Sequence, residues 1–123
     1  KKKSIVFVQL LSPTTTKERM KKIIRDSDSM NYLISILGTT GSKLKVSPKK
    51  ILENYNNIKR INPKKNLVIG FGITDSTISS FKSASGLVVG SLLCKTITNS
   101  LKMRINPATK LLQTVYNLKK KII

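Results

Sequence analysis

Hydrophobic positions fall into two kinds of segment along the chain. Short apolar runs occupy residues 5–11, 32–37, 67–69 and 87–89. Such runs, rich in β-branched residues, are typical of strands covered on both faces. Between them, apolar residues recur at intervals of three or four, which predicts amphipathic helices. The pattern therefore predicts four strands that alternate with helices.

Two helix starts carry a clear capping signal. Thr15 and Glu18 have the spacing of a capping box, which predicts a helix over about residues 16–26. Ser47-Pro48 predicts the start of a second helix, because proline fits the first turn, where its missing N–H costs nothing. The apolar stripe of that helix comprises Ile51, Leu52, Tyr55 and Ile58.

Weaker signals mark the last third of the chain. Thr74 or Asp75 is expected to cap a short helix, and Asn106-Pro107 predicts the start of a closing helix. The apolar stripe of the closing helix comprises Leu111, Leu112, Val115 and Leu118. Before the closing helix we expect only a short apolar turn, with Leu92, Leu93 and Ile97.

Strands that alternate with helices indicate an α/β fold with a parallel sheet and right-handed crossovers. A (β/α)₈ barrel takes roughly 250 residues, or about 31 for each unit. The 123 residues of this chain therefore correspond to about four such units. A small doubly wound open sheet fits the same length. Periodicity alone leaves both architectures open.

The chain is strongly basic, with 24 Lys and Arg residues against 5 Asp and Glu, for a net charge of +19. This charge raises the alternative of a nucleic-acid binder. Few of the basic residues are arginines, the type suited to bidentate phosphate and base contacts, and aromatic residues are not interleaved with them. We therefore interpret the lysines as a solvated surface and expect no nucleic-acid partner.

Residues for metal or nucleophile chemistry are sparse. The chain has one cysteine, Cys94, and no histidine, which excludes His or Cys metal centres and Ser-His or Cys-His catalysis within it. The apolar neighbours of Cys94 predict a buried, inert thiol, and a single thiol suits a reducing cytoplasm. No apolar run reaches the ~18–20 residues of a membrane span, so we expect no membrane association. Because the chain does not begin with Met, we expect it to be part of a longer protein.

Three glycine-containing turns follow predicted strands. They are Gly38-Thr39-Thr40-Gly41, Gly70-Phe71-Gly72 and Gly90-Ser91. In parallel α/β folds, ligands bind at the carboxyl edge of the sheet, and glycine lets backbone N–H groups approach an anion. Any one of these glycines could simply permit a tight turn. Three turns at equivalent positions indicate a phosphate site.

Four segments in sequence order carry a specific resemblance. They are residues 7–15 (FVQLLSPTT), Gly38-Thr39-Thr40-Gly41, Gly70-Phe71-Gly72-Ile73 and residues 86–91 (GLVVGS). In order and spacing they resemble the C-terminal half of the tryptophan synthase alpha chain family, over nearly the whole chain. The Ser-Pro-Thr-Thr segment together with the Gly-x-Thr-Gly loop distinguishes this family from other phosphate-binding barrels.

The resemblance implies a TIM (β/α)₈ barrel in which residues 1–123 form the last four βα units. Family members cleave indole-3-glycerol phosphate to indole and glyceraldehyde 3-phosphate, an aldol-type step of tryptophan biosynthesis. The complete protein is then expected to be a cytoplasmic carbon–carbon lyase without a metal or cofactor of its own. Its expected partner is the beta chain, which carries pyridoxal phosphate and takes the indole. The alpha and beta chains are expected to form a heterotetramer.

The resemblance also implies which residues form the site. The positions that match the family's phosphate site are Gly41, Gly72, Gly90 and Ser91. The positions that match residues lining the pocket are Gly70 and Phe71. Tyr32 matches a tyrosine beside the active site, and Thr40 matches the threonine of a loop that closes over it.

The family reaction needs a general acid and a general base, both carboxylates, and the resemblance assigns them to the half of the barrel that is absent here. Glu18 and Glu53 fall on predicted outer helices, and Asp26 and Asp28 in a turn at the opposite edge. Asp75 lies at the correct edge but fits a helix cap better. We therefore expect this chain alone to bind phosphate without catalysing. A complete, non-catalytic phosphate-binding module and, less favoured, a basic nucleic-acid binder are the alternatives.

Overall fold

The computed structural model describes residues 5–35 and 47–123. Its four-stranded parallel sheet consists of β1 (Gln9–Leu11), β2 (Met30–Ile34), β3 (Asn66–Gly70) and β4 (Gly86–Val88). The helices are α1 (Lys17–Asp26), α2 (Pro48–Lys59), α3 (Ser91–Lys102) and α4 (Pro107–Lys120), and a 3₁₀ turn spans Ile78–Phe81. Over these two stretches, no helix is both long enough and apolar enough to cross a membrane.

Strand order distinguishes between the two architectures that the periodicity allows. Each strand pairs with the next strand in sequence, so the order across the sheet is β1-β2-β3-β4. A doubly wound sheet reverses its strand order at one point, because its helices must cover both faces. An unreversed order with right-handed crossovers puts every crossover helix on one face, as in a TIM barrel. The predicted parallel α/β fold is confirmed, and the strand order favours the barrel.

The register gives the sheet one covered face and one open face. Successive residues of a strand point to opposite faces. One paired row consists of Leu11, Leu33 and Ile69, none of them more than 1% exposed. This row faces the helix layer and forms the core with residues such as Ile24, Ile58 and Phe81. The opposite side, which we call the open face, carries the row Leu10, Tyr32 and Val68.

For the α-helices with a predicted cap, the structure agrees with the sequence pattern at two starts and differs at one. Ser47 and Asn106 cap α2 and α4 as predicted. The cap of α1 is Thr16, whose hydroxyl accepts a hydrogen bond from the backbone N–H three residues on, at 3.4 Å. The prediction that Thr15 caps α1 is wrong, because the Thr15 hydroxyl already accepts a hydrogen bond from the Ser12 N–H at 3.0 Å. Two adjacent threonines satisfy the same spacing to within one residue, so the spacing alone could not distinguish them.

The predicted cap at Thr74 is present, although the regular 3₁₀ turn starts only a few residues later. The 3₁₀ turn begins at Ile78, and Thr77 precedes it without a side-chain capping bond. The Thr74 hydroxyl accepts from the Thr77 N–H at 3.3 Å, and the Thr74 carbonyl accepts from the Ile78 N–H at 3.0 Å, which is the bonding of an N-cap on the turn that leads into the 3₁₀ segment. The Asp75 carboxylate pairs with Lys121.

The short apolar turn expected before the closing helix is a full helix, α3, and Cys94 on it is exposed rather than buried. Positions four residues apart share one side of a helix. Leu92, Thr96 and Ser100 lie on the covered side of α3, which we call its packed side, whereas Cys94 and Thr98 lie on the exposed side. The residues that are apolar neighbours of Cys94 in sequence therefore lie on the covered side of α3 and do not bury the thiol.

The first apolar run is covered less than its composition suggests. β1 begins at Gln9, and Ile5, Val6 and Phe7 are exposed. Within β1, Leu11 is buried but Leu10 on the open face is 57% exposed, so this run is not covered on both faces as predicted. The stripe of α4 is likewise only partly covered, since Leu118 is buried whereas Leu112 is 74% exposed.

Candidate functional site

The carboxyl ends of the four parallel strands meet at one edge of the sheet. Gly70 pairs with Val88, so Gly72 and Gly90 each lie two residues beyond the same paired position. The second and third glycine turns of the sequence are therefore neighbours at this edge. Each comes at the end of its strand, as the strand-then-glycine pattern predicts, although only β3 is largely buried and Val88 of β4 is exposed.

The turn after β3 has a backbone that side chains rarely adopt. Phe71 and Gly72 both have a φ of 67°, in the left-handed region. Glycine adopts this conformation readily, whereas a residue with a side chain pays of order 1–3 kcal/mol. Such strain persists only where the surrounding structure holds it, which is typical of binding sites. The conformation of Phe71 therefore needs a restraint from elsewhere in the fold.

Ser35 supplies that restraint, and sequence reasoning missed it. This residue is 2% exposed, and its hydroxyl lies 2.7 Å from the Gly70 carbonyl and 2.5 Å from the Phe71 carbonyl, both acceptors. Its backbone N–H also donates to the Gly70 carbonyl, at 3.2 Å. No local signal marks Ser35, because it falls inside the predicted apolar run 32–37 and its two acceptors lie 35 and 36 residues away in sequence. Two predicted site residues, Thr40 and Gly41, follow in sequence but lie outside the described residues.

The Tyr32 side chain crosses residue 70 on the open face, and only glycine at that position leaves room for it. A Cβ at Gly70 would lie 1.7 Å from the Tyr32 hydroxyl oxygen, closer than any real contact. The Tyr32 and Phe71 rings meet edge to face, with centroids 6.2 Å apart and planes at 81°. Burial raises the pKa of Tyr32, so its phenol is neutral at physiological pH and able to donate a hydrogen bond. Tyr32 thus lies against both Gly70 and Phe71, so the structure brings these three predicted site residues together.

Gly90 and Ser91 lie at the amino end of α3. Gly90 is the N-cap and Ser91 the first helical residue, and the Cys94 N–H donates to the Gly90 carbonyl at 3.0 Å. A helix leaves its first N–H groups without partners in the helix, and its dipole is positive at this end. Glycine has no side chain that could accept from those groups. The end of α3 is therefore suited to an anion.

The five carboxylates of the chain all lie within the described residues. Four lie on helix surfaces or in the turn before β2: Glu18, Glu53, Asp26 and Asp28. The hydrogen bond from Arg25 holds the pKa of Asp26 below its ordinary value. The fifth, Asp75, lies in the loop after Gly72 and accepts a hydrogen bond from Lys121. Among the residues that the structure describes, no three potential metal ligands come together.

Comparison with known proteins identifies the family. A sequence model described as tryptophan synthase alpha chain matches residues 1–123, the whole length of the chain. The chain belongs to the tryptophan synthase alpha chain family. It is 64% identical over 122 residues to the tryptophan synthase alpha chain of Pelagibacter ubique, a match that covers 99% of this chain and 46% of that protein. It is 37% identical over 99 residues to the alpha chain of Aquifex aeolicus, covering 77% and 37% respectively.

Solved structures agree with the fold. The chain matches tryptophan synthase subunit alpha of Legionella pneumophila with a TM-score of 0.78 and 23% identity, over 96% of this chain and 42% of that one. It matches a structure of the tryptophan synthase a2b2 complex of Pyrococcus furiosus with a TM-score of 0.64 and 31% identity, over 96% and 44%. The prediction of part of a TIM barrel is confirmed. The chain spans less than half the length of the relatives it matches.

Proposed function

We propose that the protein to which this chain belongs is a tryptophan synthase alpha chain that cleaves indole-3-glycerol phosphate to indole and glyceraldehyde 3-phosphate. The observation that carries the proposal is the 64% identity to the Pelagibacter ubique alpha chain across nearly the whole chain. Residues 1–123 supply the last four βα units of its barrel. The a2b2 composition of the Pyrococcus furiosus complex supports a beta chain as partner. A biosynthetic role of this kind fits a cytoplasmic protein.

In this proposal the described half of the barrel binds the substrate and does not transfer its protons. The N–H groups at the amino end of α3, the Ser91 hydroxyl and the backbone at Gly72 hold the phosphate, because they combine hydrogen-bond donors with the positive end of a helix dipole. Gly41 completes the phosphate site, and Thr40 belongs to the loop that closes over it. Tyr32, Gly70 and Phe71 form the pocket wall. The carboxylate acid and base come from the other half, so residues 1–123 alone are inactive.

The substitution Gly90→Asp tests the phosphate site. A side chain fits at this position, since a Cβ there would meet nothing within 4 Å and the φ of −112° is ordinary. In the complete alpha chain, the new carboxylate should repel the substrate phosphate and raise the KM for indole-3-glycerol phosphate by roughly tenfold or more, with a smaller effect on kcat. Steady-state kinetics of indole release measure both constants.

Gly90→Asn is the matched control, because it adds a side chain of nearly the same size without a charge. A clearly smaller rise in KM for Gly90→Asn supports an electrostatic effect on bound phosphate. An unchanged KM in both variants contradicts the assignment of the phosphate site. Binding of the substrate by the complete wild-type protein without any turnover contradicts the lyase and supports the non-catalytic phosphate-binding module instead.

A further inference from the structure

The only acid in the loop after β3 lies close to the glycine of the candidate phosphate site. Asp75 follows Gly72 by three residues, a stretch that spans at most about 11 Å. The loop is also folded back, because the Thr77 hydroxyl donates to the Gly72 carbonyl at 3.2 Å. The Debye length at physiological ionic strength is about 8 Å. The charge on Asp75 therefore lies at a distance comparable to the screening length from an anion bound at Gly72, so its effect on that anion is strongest at low ionic strength.

A lysine from a distant part of the chain neutralises this acid. The Lys121 ammonium donates to the Asp75 carboxylate at 2.5 Å and to the Asp75 backbone carbonyl at 3.1 Å. The contact joins positions 46 residues apart and connects the end of α4 to the loop after β3. The two side chains are 39% and 62% exposed, so the pair adds little to global stability. Its effect is on the local charge and on the position of the loop.

We propose that Lys121 is a positioning residue for the phosphate-bearing substrate, which acts by cancelling the Asp75 carboxylate beside the phosphate site. Without Lys121, an uncompensated negative charge faces the phosphate across the loop and weakens its binding. The proposal rests on the proposed function, because it requires the substrate phosphate to lie at Gly72 and Gly90. It assigns to α4, an outer helix, a part in substrate binding.

The test compares Lys121→Ala, Asp75→Asn and the double variant in the complete alpha chain. Coulomb's law across this distance predicts that Lys121→Ala raises the KM for indole-3-glycerol phosphate about two- to fourfold at low ionic strength, with kcat unchanged. Asp75→Asn should leave the KM unchanged or lower it, and it should bring the Lys121→Ala variant back to the wild-type value. The rise in Lys121→Ala should also shrink as salt is added.

Lys119→Ala is the matched control, since it removes the same charge from an exposed side chain of α4. It should change the KM less than Lys121→Ala does, and equal rises would show that only the net charge matters. A KM that rises in Asp75→Asn as it does in Lys121→Ala would show a purely structural tie and overturn the proposal. No change in any variant also overturns it, provided that circular dichroism shows the variants folded.

The outcome of the Gly90→Asp experiment separates the two proposals. If Gly90→Asp raises the KM but the Lys121 series does not respond, the phosphate site stands and only the role of Lys121 fails. If the complete wild-type protein has no lyase activity, the proposed function itself fails.

Discussion

At Gly70 the Tyr32 ring occupies the space that a side chain would need, with its hydroxyl oxygen 1.7 Å from the ideal Cβ position. We expect Gly70→Ala to destabilise the complete alpha chain by about 1–3 kcal/mol, because the ring must leave its place on the open face. The free energy of unfolding in urea measures this cost. Combining Gly70→Ala with Tyr32→Leu should cost clearly less than the sum of the two single changes.

Gly90→Ala is the control for this prediction, since a Cβ at Gly90 meets nothing within 4 Å. It should change the free energy of unfolding by no more than about 1 kcal/mol, the cost of alanine in place of glycine at the N-cap of α3. Strictly additive costs for Gly70→Ala and Tyr32→Leu would show that the ring does not limit the size of residue 70.

At the scale of the element, the exposed side of α3 can be examined through Cys94. Because this side faces solvent, a thiol-specific reagent should modify Cys94 in the folded complete protein nearly as fast as in urea, as peptide mass spectrometry would show. Modification of Cys94 should not unfold α3, because Cys94 is not among the residues on the packed side of the helix. Protection of Cys94 by a factor of about one hundred or more would mean that α3 is rotated or covered on this side.

The elements that sequence reasoning found are those with local signals. Each strand is a short apolar run, and prolines after capping residues mark the starts of α2 and α4. α3 lacked such a signal because its packed side carries Thr96 and Ser100, which are polar. Their hydroxyls donate to the carbonyls of Leu92 and Thr96 within the helix, at 2.9 and 2.8 Å, and this makes them compatible with packing.

The candidate site was predictable in part, for the same reason. The glycine turns could be found because each directly follows its strand, and the parallel topology brings their ends to one edge. Ser35 and Lys121 could not be found, since their partners lie 35 or more residues away in sequence. Contacts over that distance depend on register and helix placement, which periodicity does not specify.

At the scale of the whole molecule, residues 1–123 leave apolar surface open. Leu10 on the open face is 57% exposed, and α4 exposes Leu112 and Tyr116. Within the described residues, β1 and β4 each pair with a single neighbour. Unpaired edges and apolar patches promote association. We therefore expect the isolated chain to self-associate or aggregate, with an apparent mass in gel filtration above the 13.7 kDa of a single chain.

Co-expression with the rest of the alpha chain is the control for this prediction. It should give a soluble complex of the two parts, because the missing strands and helices cover the same surfaces. An isolated chain that elutes as a monomer and unfolds cooperatively would contradict the expectation, since it would show that the open face needs no cover.

The unreversed strand order also bears on how the polypeptide can be divided. Every strand bonds to the one that comes next along the chain, so no connection passes over another. In a closed barrel, a break between two successive units therefore severs one covalent link and leaves two pieces that meet along two rows of interstrand bonds, and each piece keeps all its internal pairings. Such a protein tolerates being made as two polypeptides that find each other afterwards, without any rethreading of the backbone.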